Sequence, residues 1–177
     1  DICDAQDWLL MLDEVQTGNG RTGNYFAYQG MGFMPDVVTT AKGLGNGVPI
    51  GACLSRGKAA GILGAGQHGS TYGGNPLVCS AGLAVVNTVV GEELPANALA
   101  MGAIIRTALL EDPEVAAKIT EIRGNGLMLG IDLGRDCGEL VQLALEEGLL
   151  INVAGGTTIR LLPPLVINET EALELAH

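Results

Sequence analysis

The placement of glycine constrains this chain more than any other feature. Sixteen of its 27 glycines fall between residues 18 and 74, and the other 11 are scattered from residue 82 onward. All six aromatic residues, Trp8, Tyr25, Phe26, Tyr28, Phe33 and Tyr72, also lie at or before residue 72. Glycine reaches backbone conformations closed to other residues and loses more entropy on ordering. The first part must therefore turn tightly and often between short strands. The remainder, built from Leu, Val, Ile and Ala, reads as helices and strands. The glycines follow no Gly-X-Y period and 47% of the residues are hydrophobic, which excludes collagen and disorder.

A continuous apolar run at residues 8–13 predicts a strand buried on both faces of a parallel sheet. Further strands are expected at 36–40 and 49–54. Asn75-Pro76 has the form of a helix start, with Asn as N-cap and Pro in the first turn. The helix that follows, to about Val90, is apolar on nearly every face and is expected between layers. A second helix after Pro95 carries Leu94, Ala98, Met101, Ile105 and Ala108 at helical spacing. Strands at 119–122 and 127–133 meet at the hairpin turn Gly124-Asn125-Gly126. An amphipathic helix at 138–147 and strands at 149–153 and 158–162 come next. Asn168 with Glu171 forms a capping box that opens a last helix. The break Gly91-Glu92-Glu93-Leu94-Pro95 predicts a boundary that leaves 1–92 and 93–177 as separate domains. Because the chain lacks an initial Met and opens and closes within such elements, it reads as a piece of a longer protein.

Nine Lys and Arg against 20 Asp and Glu give a net charge of −11, with a pI near 4.4. A basic stripe for nucleic acid is excluded, and anionic membranes would repel the chain. No run approaches the ~20 apolar residues of a membrane span, and Asp1-Ile2-Cys3-Asp4 is no signal peptide. Cysteines 3, 53, 79 and 137 form no C-x-x-C pair, and His68 and His177 lie far from metal-ligand spacing. Reduced thiols, a cytoplasmic location and no metal site are expected.

Gly18-Asn19-Gly20-Arg21-Thr22-Gly23 matches G-x-G-x-x-G after a strand. A dinucleotide fingerprint must also open a helix and be followed by an acid about 20 positions on. Neither condition holds, and Asp13-Glu14 would put negative charge beside the phosphates. A nucleotide-binding module remains the competing reading from another class, and a non-catalytic remnant a third. Of the three lysines, Lys58 and Lys118 read as surface charges and His68 as structural. Lys42 lies between the strand at 36–40 and the glycine turn Gly43-Leu44-Gly45-Asn46-Gly47. Asp13 ends the preceding strand, 29 residues earlier, which is about one crossover between parallel strands. Both would then lie at the strand C-terminal ends where open α/β sheets bind ligands. A desolvated lysine there suits Schiff-base chemistry, and an acid suits a pyridinium nitrogen, the pair that pyridoxal phosphate needs. A loop-capping aspartate and a solvated lysine fit the same spacing.

Leu12-Asp13-Glu14-Val15-Gln16-Thr17-Gly18, Gly20-Arg21-Thr22-Gly23, Pro35-Asp36, Ala41-Lys42-Gly43-Leu44-Gly45 and Gly69-Ser70-Thr71-Tyr72-Gly73-Gly74-Asn75-Pro76 together resemble the class III aminotransferases. The likeness runs in order through Ile159-Arg160-Leu161-Leu162-Pro163-Pro164-Leu165, and is nearest to the acetylornithine-specific members. It implies an α/β, aspartate-aminotransferase-like fold. Residues 1–92 would be the C-terminal portion of the large cofactor-binding domain, with a mostly parallel sheet. Residues 93–177 would be a small α+β domain, truncated at its end. It implies pyridoxal 5′-phosphate as cofactor, with Lys42 forming the Schiff base, Asp13 on the ring nitrogen, Val15 on a ring face and Gln16 on the phenolic oxygen. Thr71 would reach the phosphate of a neighbouring subunit in a homodimer, Ser70 would touch substrate, and Arg160 would bind a substrate carboxylate. Amino-acid and 2-oxo-acid substrates follow, with N-acetylornithine as donor in arginine biosynthesis; ornithine, succinylornithine and 4-aminobutyrate are the alternatives. Gly43 and Asn46 depart from the Ala and Gly common there, and the Gly134–Cys137 connection is short. The family's N-terminal half, with a phosphate loop, a stacking aromatic and another arginine, is absent, so the chain by itself is expected to be inactive.

Overall fold

Residues 2–176 are described by a computed structural model, and they divide into two units. The first comprises the chain through Gly20 together with Asn24–Glu93; the second comprises Arg21–Gly23 and the chain from Leu94 on. In order, the elements are α1 (Ile2–Ala5), β1 (Met11–Asp13), β2 (Val37–Thr40), β3 (Ala52–Ser55), α2 (Pro76–Gly91), α3 (Leu94–Glu111), α4 (Pro113–Ala116), β4 (Glu121–Asn125), β5 (Met128–Asp132), α5 (Leu140–Glu146), β6 (Asn152–Ala154), β7 (Thr158–Leu161) and α6 (Glu169–Ala176). Among the described residues, no single helix is long and apolar enough to cross a membrane.

The first unit carries a three-stranded mixed sheet in the order β1-β2-β3. β1 runs parallel to β2, and β3 runs antiparallel to it. The crossover from β1 to β2 holds no α-helix, only a looped segment and a short 3-10 helix, Ala27–Met31. Burial departs from expectation here. Only central β2 is covered on both faces, with Val37, Val38 and Thr40 buried. β1 is an edge strand whose Met11 is 61% exposed, and β3 is exposed throughout. An edge strand has one lateral neighbour, and no element of this unit covers the outer faces of these two. α2 departs likewise. Asn75 caps it through Oδ1, which accepts from the Val78 N–H at 3.2 Å. Yet only Val78, Gly82 and Val89 are buried, and Leu77 is 75% exposed.

The second unit is an antiparallel sheet in the order β4-β5-β7-β6, with α3 and α6 contributing to its core. The buried face of α3 is Leu94, Ala98, Gly102, Ile105, Ala108 and Leu109, at the i, i+3, i+4 spacing of a helix stripe. It joins Leu127, Leu129, Ile131, Leu161, Ile167 and Ala172. Each fully buried Ile or Leu contributes about 1.5–3 kcal/mol relative to exposure. Side chains bond carbonyls outside the helix and sheet ladders: Asn97 Nδ2 donates to Leu165 O at 2.8 Å and Ile167 O at 3.0 Å, before α6, and Arg106 Nη1 donates to Ile122 O on edge strand β4 at 2.8 Å. The α6 capping box forms as its sequence specifies, with Asn168 and Glu171 each bonding the other's N–H, at 2.9 and 3.0 Å.

Gly102 sits where α3 meets the β4–β5 turn, and a Cβ there would collide with the carbonyl of Gly126. Gly102→Ala in the full-length protein is therefore expected to destabilise by about 1–3 kcal/mol, although alanine is the better helix former by about 1 kcal/mol. Chemical denaturation measures it; unchanged or raised stability would contradict this packing.

Candidate active site

Asp13, at the C-terminal end of β1, is in register with Thr39 on β2. Neighbouring strands lie about 4.8 Å apart, so the acid stands one strand spacing from the chain that leads directly to Lys42. Its Oδ1 accepts from the Val15 N–H at 3.0 Å and from the Thr39 hydroxyl at 3.3 Å. Among the described residues Oδ2 takes no hydrogen bond, and the side chain is exposed. One oxygen is thus used to orient the carboxylate and the other is open to a donor from outside.

Lys42 begins a 3-10 turn, Lys42–Leu44, immediately after β2. Its φ is +46°, a left-handed conformation rare for non-glycine residues. Such a backbone persists where its surroundings over-determine it. Asn19, only 4% exposed, donates from Nδ2 to Thr40 Oγ1 at 3.0 Å and to the Ala41 carbonyl at 3.1 Å. Its Oδ1 accepts from the Tyr25 hydroxyl at 3.3 Å. Burial pushes the Tyr25 phenol above its usual pKa. Behind the turn Leu44 is buried, with Gly82 of α2 facing its carbonyl. Gly45 lets the chain double back, because a Cβ there would collide with the carbonyl of Val48. The Lys42 side chain itself is exposed, and among the described residues its ammonium has no hydrogen bond or ion pair.

The loop between Asp13 and β2 is organised by Glu14, which is 3% exposed. Its Oε2 accepts from the Thr17 hydroxyl at 2.6 Å and the Ala27 N–H at 3.0 Å, and its Oε1 from the Tyr28 N–H at 2.9 Å. Val15 and Gln16 lie half-buried at the start of this loop. Gly18–Gly23 opens no α-helix. It has instead left-handed Asn19, with φ +58°, and positive φ at Gly20 and Gly23.

The first unit thus brings Asp13, Val15, Gln16 and Lys42 to one sheet edge and its loops. Ser70 and Thr71 lie on the exposed loop before α2, where Ser70 Oγ accepts from the Gly73 N–H at 3.2 Å. No hydrogen bond joins either to Asp13 or Lys42 among the described residues. Arg160 belongs to the second unit, on β7 opposite Asn152 of β6. Its Nε donates to Asn152 Oδ1 at 3.0 Å, and among the described residues its two terminal nitrogens have no hydrogen bond. Lys58 pairs with Asp7 at 2.8 Å on the surface, and His68 is exposed. His177 lies outside the described residues. Among them, no group of three or more His, Cys, Asp or Glu is placed to hold a metal. Asn19 and Glu14 carry no sequence signal of their roles, since an asparagine among glycines and an acid after a strand both read as loop surface.

The acid and the amine fit the ring nitrogen and the carbonyl of a flat pyridine aldehyde. Asp13 Oδ2 can accept from a protonated ring nitrogen, and the unpaired Lys42 amine can bond the aldehyde carbon. The class III aminotransferase profile matches residues 1–177. The acetylornithine aminotransferase 1 of Bordetella parapertussis is 53% identical over 176 residues, which are 99% of this chain and 45% of that protein. The acetylornithine aminotransferase of Aquifex aeolicus is 48% identical over 169 residues, 96% of this chain and 43% of that one. A solved ornithine aminotransferase from Toxoplasma gondii, with pyridoxal phosphate at partial occupancy in its active site, superposes with a TM-score of 0.92 at 34% identity. It covers 99% of this chain, which spans 43% of that one. This chain is thus less than half the length of these relatives, and class III aminotransferases are pyridoxal-phosphate enzymes. From Asp1 to His177, the chain belongs to the class III aminotransferases.

Proposed function

We propose that this chain is part of an acetylornithine aminotransferase, moving the terminal amino group of N-acetylornithine to 2-oxoglutarate in arginine biosynthesis. One observation carries the reading: Asp13 and Lys42 leave neighbouring parallel strands with one carboxylate oxygen and one amine that no other described residue engages. The names and the 44–53% identity of the relatives support the choice of substrate.

Pyridoxal phosphate, when bound, supplies an electron sink and a carrier for the amino group. Asp13 Oδ2 keeps the ring nitrogen protonated, and Oδ1, held by Val15 and Thr39, fixes its direction. Lys42 is the covalent anchor. In its neutral form the Nζ takes the proton from the amine-bearing carbon of the donor and later returns one to the acceptor. Val15 packs on a ring face, and Gln16 donates to the phenolic oxygen. Arg160, with Nε restrained by Asn152, presents its planar fork to a substrate carboxylate. Ser70 and Thr71, on an exposed loop, suit contacts to substrate and to the phosphate across a homodimer. The enzyme is read as cytoplasmic.

Lys42→Ala in the full-length protein is expected to remove the visible absorbance of bound cofactor and to lower kcat by at least about 10²–10⁴-fold. Retained absorbance and activity would contradict the assignment. Arg160→Lys keeps charge but loses the fork, so kcat/KM is expected to fall by about 10²-fold; a change below about threefold would remove Arg160 from the site. Ornithine is the competing donor, given the fold shared with ornithine aminotransferases. Steady-state kinetics should favour acetylornithine in kcat/KM by about tenfold or more, and the reverse preference would reassign the substrate.

A further inference from the structure

The G-x-G-x-x-G run at Gly18–Gly23 opens no α-helix, yet it carries a tightly constrained side chain near Lys42. Asn19 is buried, and its amide is fully used: both donations go to the two residues that precede Lys42, Thr40 and Ala41. Its one accepted bond comes from the Tyr25 hydroxyl. On the far side of the lysine, a Cβ on Gly43 would come within 3.3 Å of Asn19 Cβ. The same side chain therefore bounds the lysine's backbone before and after it. Lys42 holds a left-handed φ that its own side chain disfavours, so an external restraint is needed. A buried amide with every polar atom satisfied is a stiff restraint, because any shift leaves a buried donor unpaired. Asn19 has the left-handed φ that asparagine tolerates better than most residues.

We propose that Asn19 is a positioning residue, which locks the Thr40–Gly43 backbone and so aims the Lys42 amine at the reacting carbon. The proposal rests on the reading of Lys42 as the covalent anchor. Asn19 touches neither substrate nor cofactor in this scheme; it acts through the lysine. Tyr25 in turn fixes which way the Asn19 amide faces.

The test uses the full-length holoprotein with two variants. Asn19→Gly deletes the amide while tolerating the left-handed backbone, and Thr40→Val removes one of its two acceptors at nearly constant shape. For Asn19→Gly, kcat should fall about tenfold or more while KM for both substrates stays within about twofold, since geometry rather than binding is lost. The visible circular-dichroism band of the bound cofactor should change in sign or shrink by about half or more, as the anchoring lysine samples other directions. In the apoprotein, amide exchange at residues 41–45 should be at least about tenfold faster than in wild type. Thr40→Val should show each effect in smaller measure, and it decides the matter if Asn19→Gly does not fold. Folded variants with wild-type kcat, dichroism and exchange would overturn the proposal, as would a lowered Tm with kcat and dichroism unchanged. Wild-type protein serves as the control on the underlying reading. If borohydride fixes cofactor on Lys42 there, unchanged variants refute only the role of Asn19; if it does not, the anchor assignment itself fails and the proposal with it.

Discussion

The buried carboxyl group of Glu14 is the interaction on which the first unit's sheet edge depends. Taking such a group out of water is costly unless its oxygens are bonded. Glu14 meets that condition with three hydrogen bonds, one to the Thr17 hydroxyl and two to the N–H groups of Ala27 and Tyr28. Its backbone adds two more, the N–H donating to Thr39 O and the carbonyl accepting from Gly18 N. One residue past Asp13, the chain is thereby folded into a loop that returns to β2 without a crossover helix. The loop brings Asn19 and Tyr25 beside Thr40 and Ala41, and so determines where Lys42 starts.

Arg21–Gly23 of the same loop belong to the second unit. The Arg21 guanidinium donates to the carbonyls of Leu127 and Pro163, and its own carbonyl accepts from the Leu127 N–H at 3.1 Å. Gly126 must be glycine for this approach, because a Cβ there would lie 2.7 Å from Arg21 O. The C-terminal end of β7 is thus held twice: Arg160 pairs with Asn152 of β6, and Pro163, just beyond the strand, is held by Arg21.

Local rules were enough wherever the deciding partner is close in sequence. The Asn75 cap, the Asn168–Glu171 box and the β4–β5 hairpin rest on partners near in sequence, and each was legible; so was the α3 stripe, whose helical spacing lies within one element although it packs against residues as distant as Ala172. Burial of β1 and α2 was not, because a continuous apolar run implies a covering layer without supplying one. Met11 and Leu77 stand exposed in this chain for that reason. Within the candidate site, the 29-residue spacing and the glycine turn singled out Asp13 and Lys42 but fitted a loop-capping aspartate and a solvated lysine equally, and only the family resemblance favoured a cofactor pair. Asn19 and Glu14 were not legible, since their partners lie 21 and 22 residues away for Asn19, and 13 and 14 away for the Glu14 amide contacts. Nothing in the composition of a glycine loop tells which polar residue points inward.

The account stands or falls on the covalent role of Lys42, one of three lysines in the chain. Borohydride reduction of the full-length protein loaded with pyridoxal phosphate, followed by peptide mass mapping, tests it most directly. The account predicts a single pyridoxyl-modified lysine at Lys42. Modification at Lys58, at Lys118 or at a lysine outside this chain, with Lys42 unmodified, would contradict it.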